Sequence, residues 1–140
     1  MPAGANGVTV DASVALPLVL RNHEAHAAVT RWRADRALSL CGHAWIETYA
    51  VLTRLPGTGR VLPVDALALL TSNFSRPLSP KPDTLARAIE LFASAGIAGG
   101  ATYDGWVALA ALHHGARLAS RDARAEGTYR GLGVNVEMIG

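Results

Sequence analysis

The sequence predicts an α/β fold in which helices cover both faces of a mostly parallel sheet. Three observations point there. Apolar runs too short for helices recur at VTV (8–10), LSLC (38–41), RLAS (117–120) and VNVEM (134–138). Longer segments with helical spacing lie between them. Glycine and proline punctuate the joins. Strands separated by single helices make βαβ units, whose strands run parallel and are buried on both sides. Ligands of such sheets gather beyond the carboxyl ends of the strands.

In chain order, residues 8–10 form the first strand, and 13–20 and 24–35 the first two helices. The run 38–41 is the second strand, followed by a helix from about 43 to 55. LPGTGR ends that helix, because Pro56, Gly57 and Gly59 interrupt helical backbone. Residues 64–74 are helical in period, and 77–79 suit a brief strand. Asp83 or Thr84 caps a helix reaching residue 95. The glycine-rich AGIAGGA leads into a helix over 103–114, and strands at 117–120 and 134–138 complete the sheet.

At 140 residues the chain has the length of one domain, expected to span residues 1–140. With 50% apolar and 17% charged residues it carries enough core to fold, which excludes a disordered chain. The longest apolar stretch, VALPLVL at 14–20, is far too short to span a bilayer. MPAGANG lacks the basic start and apolar core of a signal peptide, so a cytoplasmic location without a membrane partner is expected. A single cysteine, Cys41, leaves no internal disulfide and no zinc-type cluster. The net charge is +2, and twelve of the thirteen basic residues are arginine. Guanidinium groups suit a phosphate-bearing partner. A GC-rich genome would favour arginine as well, and the charge balance leaves both explanations open.

Four of the eleven acidic residues occupy positions that solvation does not explain. Asp11 follows the first strand, and burying an unpartnered carboxylate is expensive. Glu47 lies in HAWIETYAVLTRL with His43, Ala44, Ala50 and Val51 as its helical neighbours, an apolar and small-residue face. Asp104 sits in the first turn of an otherwise apolar helix, and Asp122 follows the strand at 117–120. Each has a bland explanation. Asp11 and Asp122 would cap helices, Asp104 would answer a helix dipole, and Glu47 would pair with a buried arginine. Jointly they suggest more, because four carboxylates at one edge repel one another. A hard divalent cation resolves that conflict through oxygen ligands.

These residues resemble a known family, the PIN-domain ribonucleases, and within it the VapC toxins of bacterial toxin–antitoxin pairs. The likeness spans essentially the whole chain and is carried by VTVDASVAL, IETYAVLTRLPG and TYDGWVALAALHHGARLASRDARA. The family pattern places an Asp after the first strand with Ser or Thr two residues on, here Asp11 and Ser13. A Glu on a helix ahead of a Leu-Thr-Arg segment follows, here Glu47. An Asp opens a late helix, here Asp104, and the last lies in a Thr/Ser-Arg-Asp signature, here Ser120-Arg121-Asp122. Ser120 stands where many members carry Thr, and the hydroxyl is kept.

The resemblance implies a three-layer α/β/α fold and Mg²⁺-dependent endonuclease activity on RNA, with Mn²⁺ as a substitute. Asp11, Glu47, Asp104 and Asp122 would be the catalytic and metal-holding residues, anchoring one or two ions that activate a water. It also implies a homodimer and inhibition by a cognate VapB-type antitoxin whose C-terminal segment enters the acidic groove. The apolar segments 64–70 and 85–92 suit the dimer contact. Cleavage is expected to vanish with EDTA and in Asp11→Asn, with the fold intact.

Other residues are set aside. Ser13 and Ser120 would hold carboxylates or waters, or cap helices. Arg121 and Arg124 read as surface cations near enough to meet RNA phosphates. His113 and His114 precede Gly115 and read as a helix cap, and His23, His26 and His43 lack a ligand partner at a convincing interval. Trp32, Trp45 and Trp106 read as core or dimer contacts. GTGR at 57–60 lacks the strand and the Lys-Ser/Thr of a phosphate loop. Two alternatives remain. A haloacid-dehalogenase-type phosphatase would use Asp11 as nucleophile, but it wants a second Asp where Ser13 stands. A non-catalytic PIN-like module binding RNA or a partner would be expected to have lost a carboxylate, and none is missing.

Overall fold

The computed structural model describes residues 7–140; the reading of MPAGANG as leader-free falls almost wholly outside them. Three strands lie where the apolar runs predict: β1 (Val8–Val10), β2 (Leu38–Leu40) and β3 (Arg117–Ser120). The fourth, β4 (Val136–Met138), begins two residues later than expected, because the Val134 amide donates instead to the Tyr129 carbonyl. The sheet order is β2-β1-β3-β4, parallel throughout, with Val10 opposite both Leu40 and Ala119. β1 is buried along its whole length, as a central parallel strand must be.

The connections depart from single helices in two of three crossovers. α1 (Ala12–Val19) and α2 (His26–Arg33) join β1 to β2. Four helices join β2 to β3: α3 (Gly42–Thr53), α4 (Pro63–Asn73), α5 (Leu85–Ala95) and α6 (Ala101–His113). Only β3 to β4 is spanned by one, α7 (Ala123–Gly131). The six helical segments read from the sequence between residues 13 and 114 match α1–α6, so the multiple-helix crossovers are visible there although single-helix βαβ units are expected. The result is the expected three-layer α/β/α arrangement, with the sheet buried between helices.

The main core gathers Val10, Val14, Leu38, Leu40, Leu52, Leu118 and Tyr129 around the sheet. A smaller cluster of Ala88, Phe92 and Leu109 seats α5 on α6. There Gly105 is required, since a Cβ would stand 2.7 Å from Phe92 Cε1. Residue 96, the glycine ending α5, has φ 71°, a left-handed conformation that side chains resist.

Several local expectations need correction. Neither Asp83 nor Thr84 caps α5 through its side chain, because a 3-10 turn over Pro82–Thr84 runs straight into the helix. Residues 77–79 make only an isolated bridge, Leu78 to Cys41. His114 is the C-cap residue of α6, yet the two imidazoles serve the 79–81 loop. His113 Nδ1 accepts from the Lys81 amide at 3.0 Å, and His114 Nε2 donates to the Ser79 carbonyl at 2.9 Å. Trp32 and Trp45 pack on the main core and Trp106 on the smaller one, matching their core reading.

Candidate active site

From β1 the chain crosses to β2 on one side, and from β3 to β4 on the other. The chain paths beyond the turns after β1 and β3 therefore part to opposite sides, a topological switch point whose crevice lies at the carboxyl ends of two adjacent strands. Asp11 stands on one lip and Asp122 on the other, each as the N-cap of the next helix. The capping explanation therefore holds at both positions.

Asp11 is only 6% exposed, and its burial is offset by hydrogen bonds. Its Oδ1 accepts from the Ser13 amide at 3.0 Å and the Ser13 hydroxyl at 2.5 Å. Its Oδ2 accepts from the Ser120 hydroxyl at 2.6 Å and the Tyr129 hydroxyl at 2.7 Å. A carboxylate offers about four acceptor positions, so Asp11 is filled. Each serine hydroxyl gives its proton to Asp11 and accepts a backbone amide: Arg121 N to Ser13 Oγ at 2.8 Å, Asp122 N to Ser120 Oγ at 3.0 Å. With both protons committed, the 3.3 Å approach of the two hydroxyl oxygens is a contact without a hydrogen bond. Burial and the adjacent Asp11 charge push the Tyr129 phenol far above its ordinary range, so it stays a donor.

Asp122 accepts from the Arg124 amide at 3.0 Å. Arg124 also spans its carboxylate at 3.3 Å, but that guanidinium is 92% exposed and contributes little to holding it.

Glu47 and Asp104 face the crevice differently. Asp104, half-buried in the first turn of α6, has a carboxyl pushed up to about 6, first by burial and then by the charges of Asp122, Asp11 and Glu47; Arg124 opposes the rise. Asp104 thus lies within electrostatic reach of the other three. Glu47 corrects the sequence expectation of a buried face: its side chain is 50% exposed, and His43 is its distant companion at 3.9 Å. The buried stripe of α3 is Ala44, Thr48 and Leu52, spaced by four, and Glu47 stands one residue off it. Among the described residues no arginine pairs with it. The His43 ring stacks on Tyr103 with centroids 4.7 Å apart and planes inclined by 16°.

Among the described residues no three His, Cys, Asp or Glu side chains form a ready-made chelating group. The donors still suit a hard cation. All are carboxylate oxygens, nothing among the described residues hydrogen-bonds to Asp104, and its pKa is raised first by burial and then by three neighbouring charges whose repulsion a cation would relieve. Mg²⁺ keeps several waters and takes one or two carboxylates directly, so a preassembled trio is unnecessary. The same geometry disfavours Asp11 as a phosphatase nucleophile, because both its oxygens are engaged twice. Cys41 is no nucleophile either: burial pushes its thiol up to about 12.

Sequence reasoning missed Tyr129 and the His43–Tyr103 stack. The one signal for Tyr129 was its spacing from Ala125, which together form the buried stripe of α7.

The PIN domain family model matches residues 8–131. The chain is 53% identical over 129 residues to "Ribonuclease VapC27" of Mycobacterium tuberculosis, covering 92% of this chain and 94% of that protein. It is 38% identical over 133 residues to "Ribonuclease VapC40" of the same species, covering 94% and 98%. Among solved structures, FitAB bound to an IR36 DNA fragment matches with TM-score 0.65 at 20% identity, covering 94% of each chain. PAE2754 from Pyrobaculum aerophilum matches with TM-score 0.60 at 21% identity, covering 96% of this chain and 85% of that one. At such identities these two structures support the fold alone.

Proposed function

The chain belongs to the PIN-domain family, and from that premise we propose that it is a metal-dependent endoribonuclease, the toxin of a VapBC-type pair. The observation carrying the activity is 53% identity, across 92% of the chain, with a protein named as a ribonuclease. The crevice supports the chemistry. Of the four carboxylates, Glu47, Asp104 and Asp122 would hold the cation, Mg²⁺ or in its place Mn²⁺, while Asp11, its acceptor positions filled by the fold, would add its negative charge beside them. When bound, such an ion activates a water and offsets charge developing on a phosphodiester. Ser13, Ser120 and Tyr129 keep the Asp11 carboxylate from turning, and Ser120 fixes the amide of Asp122. Glu47 and Asp104 remain open to solvent and to ligands. Arg121 and Arg124, at the start of α7, supply cations for the neighbouring RNA backbone.

The partners are RNA and a VapB-type antitoxin that covers the acidic crevice. A homodimer is supported by exposed apolar residues on α4 and α5: Val64 at 69%, Leu67 at 54%, Leu85 at 61% and Ile89 at 59%. The domain spans residues 1–140 and works in the cytoplasm; among the described residues no helix is long and apolar enough to cross a membrane.

Purified protein is expected to cut RNA with Mg²⁺ or Mn²⁺ and to stop on adding EDTA. Glu47→Gln is expected to reduce the rate by at least about a hundredfold. Undiminished cleavage in EDTA would overturn the metal-dependent mechanism. RNA binding without any cleavage would make the chain a binding module, and a trapped aspartyl-phosphate on Asp11 would make it a phosphatase.

A further inference from the structure

Tyr103 precedes Asp104 in α6 and keeps 58% of its surface exposed. Trp45 and Trp106, by contrast, pack onto the two cores. One face of the Tyr103 ring lies on His43, with centroids 4.7 Å apart and nearly parallel planes. The 4.7 Å spacing falls in the range of an offset aromatic stack. His43 stands one helical turn before Glu47, with its Nε2 3.9 Å from that carboxylate. The two rings therefore bridge α3 and α6 beside Glu47, with Asp104 the next residue along α6, and belong to neither core.

We propose that Tyr103, backed by His43, is the stacking platform for a nucleobase flanking the scissile phosphodiester of single-stranded RNA. The inference rests on the ribonuclease reading and adds how the substrate is gripped. Four carboxylates repel a phosphodiester backbone, so contacts to uncharged parts of the substrate must supply part of the affinity. A base offers such a part in its π-face, and stacking on an aromatic ring tolerates any sequence. The His43 contact already restrains the Tyr103 ring, so little rotamer freedom is lost on binding. The platform requires an unpaired base, which directs the site to loops, bulges and ends of RNA rather than to duplex.

The test pairs fluorescence with kinetics. Single-stranded RNA 12-mers (about that length suffices to cross the site) carrying 2-aminopurine are titrated with wild type, Tyr103→Phe and Tyr103→Leu, with Ca²⁺ replacing Mg²⁺. Quenching is expected with wild type and the Phe variant and is expected to be lost with the Leu variant. In Mg²⁺ the Leu variant should raise KM about tenfold or more for a cleaved oligomer, with kcat changed less. Replacing the stacked nucleotide by an abasic one should remove the difference between Leu variant and wild type. Absence of quenching with wild type overturns the platform even where cleavage proceeds. Equal impairment of the Phe and Leu variants also overturns it, as does a Leu variant whose loss follows a change in oligomeric mass by ultracentrifugation. Quenching without cleavage would instead remove the ribonuclease reading and leave the platform standing.

Discussion

The two sides of the crevice are built on opposite plans. On the strand side, Asp11 is buried and every acceptor position is filled, by Ser13 twice, Ser120 and Tyr129. On the helix side, Glu47 is half exposed, and Asp104 is held against the cost of partial burial and the repulsion of three other carboxylates. The first side is a frame whose charge the fold itself satisfies. The second is a set of charges that the fold leaves unsatisfied. One carboxylate type thus serves stability in one place and, in the proposed function, ligand capture in the other, and hydrogen-bond donors make the difference.

The sharpest way to break the contrast is Asp11→Asn. An amide NH₂ would confront two of the four donors that now converge on the carboxylate. A loss of about 3 kcal/mol or more is expected in a denaturant melt. A loss of that size would run against the expectation that Asp11→Asn silences activity with the fold intact; Glu47→Gln is the cleaner control. Tyr129→Phe probes the same frame more gently, removing one charge-assisted bond, and about 2 kcal/mol is expected from the same measurement.

On the helix side the expected effects are smaller and one changes sign. Gly105→Ala would press a Cβ against the buried Phe92 ring, 2.7 Å from Cε1. Overpacking of about 1–3 kcal/mol outweighs a helix-propensity gain of roughly 1 kcal/mol, for a net loss of about 1 kcal/mol in thermal or denaturant unfolding. Asp104→Asn should stabilise the metal-free protein. Its carboxyl, ordinarily at 3.8, sits at about 6 in the fold, so between those values the folded state binds the proton that the unfolded state has released. Stability from this group is fully present below pH 3.8 and is lost as pH rises through about 6. The variant should therefore gain in Tm above pH 6 in EDTA, by about 2 °C once solvent screening of a half-exposed group is allowed for. Below pH 3.8 it should match wild type. A drop in Tm at pH 7 would show Asp104 to be a structural carboxylate like Asp11.

The frame was partly legible in the sequence and the open side less so, for physical reasons. A carboxylate one residue after VTV, or two after RLAS, announces a strand end, because a three- or four-residue apolar run has few other uses in an α/β chain. Placing β1 beside β3 then follows from pairing, and Asp11 and Asp122 flank one crevice. Tyr129 contacts Asp11 across 118 residues of sequence, which no local pattern encodes. The exposure of Glu47 escaped because Ala44 lies inside and Ala50 only partly so, and small residues mark either side of a helix equally well. The histidines at the end of α6 bond to a loop that approaches only in the folded chain.

The serine hydroxyls that grip Asp11 also hold the amides of Arg121 and Asp122, so the turns after β1 and β3 are laced into one brace. Under the proposed function, an incoming ion would meet a corner whose positions are already set. Its capture should be governed by shedding water rather than by rearranging protein, and amide hydrogen exchange at Arg121 and Asp122 should be equally slow with and without it.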